Sequence, residues 1–267
     1  MQAVAKEMNF SETTFVLPAE RPDTDVRMRI FTPCDELPMA GHPTVGSAFA
    51  LAHSGAIAKG REEFVFGLGV GPISVALTWT ADDLSFVWMT QRPPIFGEPG
   101  NRSLAAAALS LPESALAPIG LPVQVVSCGV PFLFVPIATR AAVDASIADR
   151  PALDELVRTT PGGAHGVFFF SHERGSDDAT VYSRMFAPAL GVPEDPATGG
   201  ASGPLGCYLV RHGLVAPENA GRMLSLQGVK MGRPSHIHIS IGMTRDEITS
   251  VRIGGESVLA GEGTLYI

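Results

Sequence analysis

The chain has 267 residues, of which 45% are hydrophobic, and it carries a formal net charge of −8. This length suits one large domain or two lobes of about 130 residues each, and the hydrophobic content is sufficient for a core in each lobe. The negative charge argues against general binding to nucleic acid or to an anionic membrane, because both require a basic surface.

Apolar periodicity in the first 95 residues predicts two helices and five strands. One helix spans 1–9 and ends at Asn9, and the other spans 44–53, where Pro43 suits the first turn because its missing N–H is not needed there. Strands are predicted where apolar residues alternate or cluster, at 13–17, 25–32, 64–66, 73–79 and 84–90.

The rest of the chain continues this mixture. Residues 92–122 contain six prolines and are predicted to form a connection with one short helix. Further helices are predicted at 149–158 and 202–212, and strands at 123–126, 132–137, 167–171, 181–186, 223–226, 236–241 and 248–253. Many short strands with few helices indicate an α+β fold of two pseudo-symmetric lobes, each a barrel-like mixed sheet around a central helix. The predicted division is a first lobe at 1–95, closed in part by the C-terminal residues, a crossover at 96–122 and a second lobe at 123–267.

One sequence pattern occurs twice. Gly41 opens an apolar run that ends at Gly55, and Gly199, 158 positions later, opens another that ends at Gly213. Duplicated lobes commonly form a cleft at their shared interface. Each run is predicted to begin a helix, and the free N–H groups at a helix start bind anions. We therefore expect two helix N-termini to face one cleft and to hold a small acidic molecule.

Three side chains are candidates for acid–base chemistry. Glu12 lies between an apolar helix and an apolar strand, where burial raises a carboxyl pKa and suits the group to general acid–base catalysis. Asp195 precedes the second helix, and His42 stands at the start of the first, where a histidine is suited to donate to an anion or carry a proton. Each has a structural alternative: Glu12 as a solvated turn residue, Asp195 as a residue that complements the helix dipole, and His42 as a structural histidine.

Other kinds of site have little support. Cys34, Cys128 and Cys207 are widely spaced and lack a CxxC motif, so neither a zinc site nor a disulfide framework is predicted. His236 and His238 share a strand face without an acidic partner, which favours a solvated face over a metal site. No dinucleotide or Walker motif is present. The absence of a visible signal peptide or long apolar run predicts a cytoplasmic protein without a membrane span.

Five short segments give the chain a family resemblance. They are SETTF at 11–15, RIFTP at 29–33, ELPMAGHPT at 36–44, EDPATG at 194–199 and QGVKMGRPS at 227–235. In this combination and order, across nearly the whole chain, they resemble the PhzF-like family of phenazine biosynthesis.

The resemblance implies a diaminopimelate-epimerase-like fold and a homodimeric isomerase that shuttles a proton without metal or organic cofactor. In the best-known branch of the family the substrate is trans-2,3-dihydro-3-hydroxyanthranilate. Glu12 matches the acid–base residue of the family, and His42 and Asp195 match its supporting polar groups. Gly41 and Gly199 match the positions whose N–H groups meet the substrate.

Two departures from the family pattern leave alternatives open. The chain begins inside the helix that follows the opening strand of the family, so the first lobe is expected to lack that strand and to expose a sheet edge. Gly200 stands where the best-known branch has a serine, so one substrate hydrogen bond is expected either to be lost or to be replaced by one from Ser202. One alternative is a non-catalytic protein of the same fold that binds small acids. The other is an epimerase or racemase, although neither helix start carries the cysteine that a two-thiol mechanism needs.

Overall fold

Strands built from apolar and alternating residues dominate the structure. The computed structural model describes residues 1–81, 83–118, 120–245 and 247–266. Within these ranges it contains the helices α1 Gln2–Met8, α2 His42–His53, α3 Arg102–Ala108, α4 Arg140–Ala145, α5 Arg150–Thr159 and α6 Gly199–Arg211. The strands in the same ranges are β1 Thr13–Pro18, β2 Val26–Phe31, β3 Glu36–Leu37, β4 Glu63–Leu68, β5 Gly71–Thr80, β6 Asp83–Gln91, β7 Ile95–Pro99, β8 Gln124–Ser127, β9 Pro131–Pro136, β10 Val167–Ser171, β11 Val181–Phe186, β12 Met223–Gln227, β13 Ser235–Thr244 and β14 Glu247–Gly255.

The predicted elements lie within about three residues of their observed positions, because their apolar periods are regular. The stop at Asn9 is observed: this residue adopts a left-handed backbone with φ of 53° and donates its N–H to the Ala5 carbonyl. The sequence did not predict β3, α4 or β7. In α4 the N-cap is Thr139, whose hydroxyl accepts the N–H of Ala142. At the end of the sheet, β7 includes Pro99, and proline is tolerated on an edge strand.

One mixed sheet joins both halves of the chain. Its described strands follow the order β1-β2-β4-β5-β6-β14-β13-β12-β11-β10-β9-β8-β7, with β3 beside β2. Along this order, strands are antiparallel except in the pairs β2–β4, β9–β10 and β11–β12. The halves meet where β6 pairs with β14, with Met89 opposite Ile253. The predicted limits of the two lobes remain predictions. Near the predicted end of the first lobe at residue 95, β7 starts at Ile95 and pairs with β8 of the second half.

Each half has a central helix, and the second half has an outer layer as well. In the first half, α2 packs on β6. In the second half, α6 packs on β13 and β14, and eleven of its thirteen residues are buried. Gly206 permits this close approach, because a Cβ there would lie 2.5 Å from Cγ2 of Ile239. A separate apolar cluster brings α3 and α5 together with the sheet side chains of Leu133 and Phe169.

The starts of α2 and α6 meet backbone to backbone. A Cβ on Gly199 would lie 2.9 Å from the Cα of Gly41, so the contact leaves no room for a side chain. Matching positions of the repeat make matching hydrogen bonds: Thr44 and Ser202 each donate a hydroxyl to the carbonyl four residues earlier, at 2.7 and 2.9 Å. The sequence repeat therefore corresponds to a structural repeat, and two helix N-termini converge on one point.

Candidate active site

Glu12 lies in the loop between α1 and β1, and its side chain is 10% exposed. Its Oε2 lies 3.1 Å from Nε2 of His42 in an ion pair, and within the described residues this oxygen has no aligned hydrogen-bond donor. Burial raises the pKa of Glu12, but the positive charge of His42 and hydrogen bonds with His42 and Ser11 together outweigh burial and hold the pKa below its ordinary value, contrary to the rise expected from burial alone. The carboxyl group is therefore ionised at neutral pH and is available to accept a proton.

His42 is the first residue of α2, and its imidazole lies between two carboxyl groups. Burial lowers the pKa of His42, but the negative charges of Glu12 and Asp195 outweigh burial and raise the pKa to about 9. A hydrogen bond to the backbone of Ala197 acts in the same direction. At neutral pH the imidazole is therefore a cation that donates hydrogen bonds.

Asp195 lies in the loop before α6 and is 2% exposed. Its Oδ2 accepts a hydrogen bond of 2.6 Å from the hydroxyl of Thr198, and its Oδ1 has no hydrogen-bond partner within the described residues. Burial raises the pKa of Asp195, His42 opposes this effect and the charge of Glu12 adds to it, so the pKa lies above its ordinary value. Of the two carboxyl groups, Asp195 is therefore the one that more readily holds a proton.

Gln227, at the end of β12, fixes the loop that carries Asp195. Its buried Nε2 donates to the carbonyl of Asp195 at 2.7 Å and to the hydroxyl of Thr198 at 2.9 Å. Its Oε1 accepts the N–H of Thr198 at 3.0 Å. Sequence reasoning missed this positioning role. The residue begins one of the family segments, but its pairing with residues about 30 positions earlier is a tertiary contact without a local signal.

Three potential ligand atoms lie close together in this cluster. Glu12, His42 and Asp195 each offer one atom, and these atoms lie within 4.8 Å of one another. The spacing suits a metal ion, but a metal-binding histidine must be neutral. The raised pKa of His42 favours a proton on the ring nitrogen that would bind the metal. The cluster is therefore better suited to proton transfer than to metal binding.

A small cavity of about 40 Å³ adjoins the cluster and is lined in part by Gly41, Gly199 and Gly200. The N–H groups of His42 and Gly200, at matching positions of the repeat, donate to no described backbone acceptor. Both helix starts therefore retain donors for an anion. Ligand pockets usually measure roughly 300–1,000 Å³, so a ring-sized ligand requires this cavity to widen.

The structure does not bring every predicted residue to the cavity. Ser202 is fully buried and donates its hydroxyl to the carbonyl of Thr198 at 2.9 Å, so the expected substrate contact of this side chain is wrong. The three cysteines also lie outside the cavity lining: Cys34 is exposed, whereas Cys128 and Cys207 are buried. No thiol is thus placed beside the acid–base cluster.

A larger groove of about 1120 Å³ is also lined by His42. Its lining includes His236 and His238 of β13 and residues 257–260 near the C-terminus. His236 is exposed, but His238 is half-buried and its ring centroid lies 5.1 Å from that of Phe86. The prediction of a solvated face is therefore wrong for His238, because aromatic packing covers it.

Comparisons with known proteins identify the family and the fold. A family model described as phenazine biosynthesis-like protein, PhzC-PhzF, matches residues 1–263. The trans-2,3-dihydro-3-hydroxyanthranilate isomerase of Pseudomonas chlororaphis is 36% identical over 268 residues, which cover 100% of this chain and 88% of that protein.

Solved structures share the fold. A phenazine biosynthesis protein of the PhzF family from Bacillus anthracis superposes with a TM-score of 0.82 at 23% identity, over 96% of this chain and 85% of that chain. A hydroxyproline epimerase from Agrobacterium vitis has a TM-score of 0.63 at 16% identity, over 92% and 71% of the two chains. The predicted fold class, the family resemblance and the isomerase class are confirmed. Among the described residues, no helix is long and apolar enough to span a membrane.

Proposed function

This chain belongs to the PhzC-PhzF family of phenazine biosynthesis-like proteins, and we propose that it moves a proton between two carbon atoms of a small carboxylated metabolite without a cofactor. The observation that carries the proposal is the cluster of Glu12, His42 and Asp195 beside two helix N-termini. It combines an ionised carboxylate, a cation and a second carboxyl group with a raised pKa. Groups of unequal proton affinity at one site are the components that acid–base catalysis requires.

The chemistry follows from these protonation states. The carboxylate of Glu12 removes a proton from one carbon of the substrate, and the electron pair left behind shifts along the unsaturated system to a second carbon. That carbon then takes a proton from Glu12, which returns to its ionised form. The His42 cation stabilises the carboxylate form, and Asp195 supplies a second carboxyl group that hydrogen-bonds substrate or exchanges a proton. The substrate and product are isomers, so no oxidant or other reactant is consumed.

The substrate we propose is a carboxylic acid of the trans-2,3-dihydro-3-hydroxyanthranilate type. The printed name of the relative from Pseudomonas chlororaphis supports this choice. The unpaired N–H groups of His42 and Gly200 suit the substrate carboxylate. Apolar side chains in the cavity wall, including Phe132 and Met185, suit a carbon ring.

Turnover in D2O tests the proposal. Purified protein is incubated with trans-2,3-dihydro-3-hydroxyanthranilate, and NMR follows product formation and deuterium at the new C–H position. Glu12→Gln is expected to abolish turnover while the protein stays folded, because the amide cannot accept the proton. Glu7→Gln, a change of the same kind at an exposed position of α1, serves as the control and is expected to retain full activity. Undiminished turnover in Glu12→Gln would refute the role of this residue.

The two alternatives give different results in the same experiment. A non-catalytic acid-binding protein shows ligand-induced thermal stabilisation without deuterium incorporation. An epimerase exchanges deuterium at a carbon whose configuration inverts, without migration of a double bond. We further propose that the protein is a cytoplasmic homodimer. Light scattering coupled to size-exclusion chromatography tests the dimer, and cell fractionation tests the location.

A further inference from the structure

His165 lies two residues before the start of β10 and lines the same cavity as the acid–base cluster. Its backbone N–H donates to the carbonyl of Pro131 at 2.9 Å, which fixes the residue beside the start of β9. The neighbouring Gly166 has no room for a Cβ, which would lie 2.9 Å from Sδ of Met185 and 3.0 Å from the carbonyl oxygen of Phe186. The backbone around His165 is thus tightly held between two strands.

The imidazole of His165 is half-buried and makes no hydrogen bond or ion pair with any residue that the structure describes. The other polar lining residues outside the acid–base cluster are already engaged. The hydroxyl of Thr32 donates to the carbonyl of Asp35, and the hydroxyl of Thr198 donates to Asp195. Outside the cluster, and among the described residues, His165 is therefore the polar side chain of the cavity lining whose hydrogen-bonding groups are unused.

The surroundings of His165 are apolar. Val130, Phe132, Met185 and Val192 line the same cavity. Burial lowers the pKa of His165, so its imidazole is neutral at neutral pH and offers one N–H donor and one nitrogen acceptor. A neutral imidazole in an apolar wall is suited to a hydroxyl group, which donates and accepts as well, and poorly suited to a second carboxylate.

We infer that His165 determines specificity at this site by hydrogen-bonding a ring hydroxyl of the bound acid. The inference rests on the proposed function, because it takes the carboxylate of the same ligand to lie at the two helix starts. It adds to the proposed function a side chain that recognises the hydroxyl group of the acid. His165 acts here in binding and orientation, and the proton transfer remains with Glu12.

Calorimetric titration with 3-hydroxyanthranilate and anthranilate tests this inference, because these two stable acids differ only in the hydroxyl group. We expect the unaltered protein to bind the hydroxylated acid about 3- to 10-fold more tightly, the range that one neutral hydrogen bond supplies. His165→Phe should bring this ratio close to one, and His165→Gln, whose amide still donates and accepts, should restore part of it. His172→Phe is the matched control, since His172 is also half-buried with a pKa lowered by burial but lies outside the cavity.

The outcomes separate this inference from the proposed function. A ratio that is unchanged in His165→Phe, equal binding of both acids, or binding of neither acid by the unaltered protein overturns the role of His165. A ratio that depends on His165 without deuterium incorporation into the dihydro substrate supports the inference and overturns the proposed catalysis. With active protein, His165→Phe should raise KM for trans-2,3-dihydro-3-hydroxyanthranilate and leave kcat nearly unchanged, which distinguishes a binding contact from general structural damage.

Discussion

The contact between the two helix starts makes Gly41→Ala a sharp test of the site. Gly41 has φ of −80° and ψ of −72°, a backbone conformation that alanine adopts readily, so the expected cost is steric alone. The new Cβ would lie 2.5 Å from the carbonyl carbon of Gly199 and 2.7 Å from the nitrogen of Gly200. Both atoms belong to the backbone of α6, and no flexible side chain is available to move aside.

The displacement sets the expected magnitude. The new Cβ would lie closer still to the Cα of Gly199, so the helix starts must separate by about 1 Å to reach the 3.4 Å of ordinary contact. Overpacking of this kind costs about 1–3 kcal/mol in the free energy of unfolding. A shift of about 1 Å in the catalytic geometry reduces turnover on the order of 100-fold. We therefore expect Gly41→Ala to lose both stability and activity, and to lose much more activity.

Urea unfolding and deuterium incorporation measure the two effects in the same preparations. Gly46→Ala is the control in the same helix, because a Cβ at Gly46 meets no heavy atom within 4 Å. It should stabilise the protein by about 0.5–1 kcal/mol, since alanine is the better helix former. If Gly41→Ala matches Gly46→Ala in unfolding free energy and turnover, the reasoning about the helix contact is wrong.

Two further predictions concern the groups around the cluster. The pKa of His42 is raised from 6.5 to about 9, so its contribution to stability is complete below pH 6.5 and disappears as the pH rises through 9. The unfolding free energy relative to His42→Gln should therefore fall across this window, and a constant difference would contradict the proposed charge state. Gln227→Leu should cost about 1–3 kcal/mol for each buried group left unpaired, the Thr198 N–H and the Asp195 carbonyl. It should also reduce kcat, and stability and turnover equal to those of the unaltered protein would contradict the positioning role.

Local patterns predicted the elements well where their period was regular. Glu12, His42 and Asp195 could be selected because each lies where an apolar element begins or ends. The repeat predicted that the two helix starts, and with them His42 and the segment of Asp195, face one cleft. The place of Glu12 beside them was implied only by the family resemblance. The protonation states could not be predicted in this way, because the pKa of His42 depends on distances to two carboxyl groups far apart in the sequence.

The residues that sequence reasoning missed share one property, which is that their roles arise from tertiary contacts. Gln227 meets Asp195 only after β12 pairs with β11, and no spacing in the sequence indicates this hydrogen bond. His165 reaches the cavity because of the way β9, β10 and β11 align. Ser202 illustrates the opposite error: its position in the sequence suggested a substrate contact, but the helical backbone turns its hydroxyl toward its own preceding turn.

The charge balance at the helix contact explains why this site suits an anion. Two helix N-termini in contact bring together partial positive charges of roughly half an elementary charge each. The His42 cation adds to them, and the ionised Glu12 balances only part of the total. A proton on Asp195, whose pKa is raised, leaves the site with an excess of positive charge within a protein of net charge −8. A substrate carboxylate neutralises that excess. The same binding event therefore holds the ligand and lowers the cost of bringing the two helix starts together, which couples recognition of the acid to the geometry that Glu12 needs.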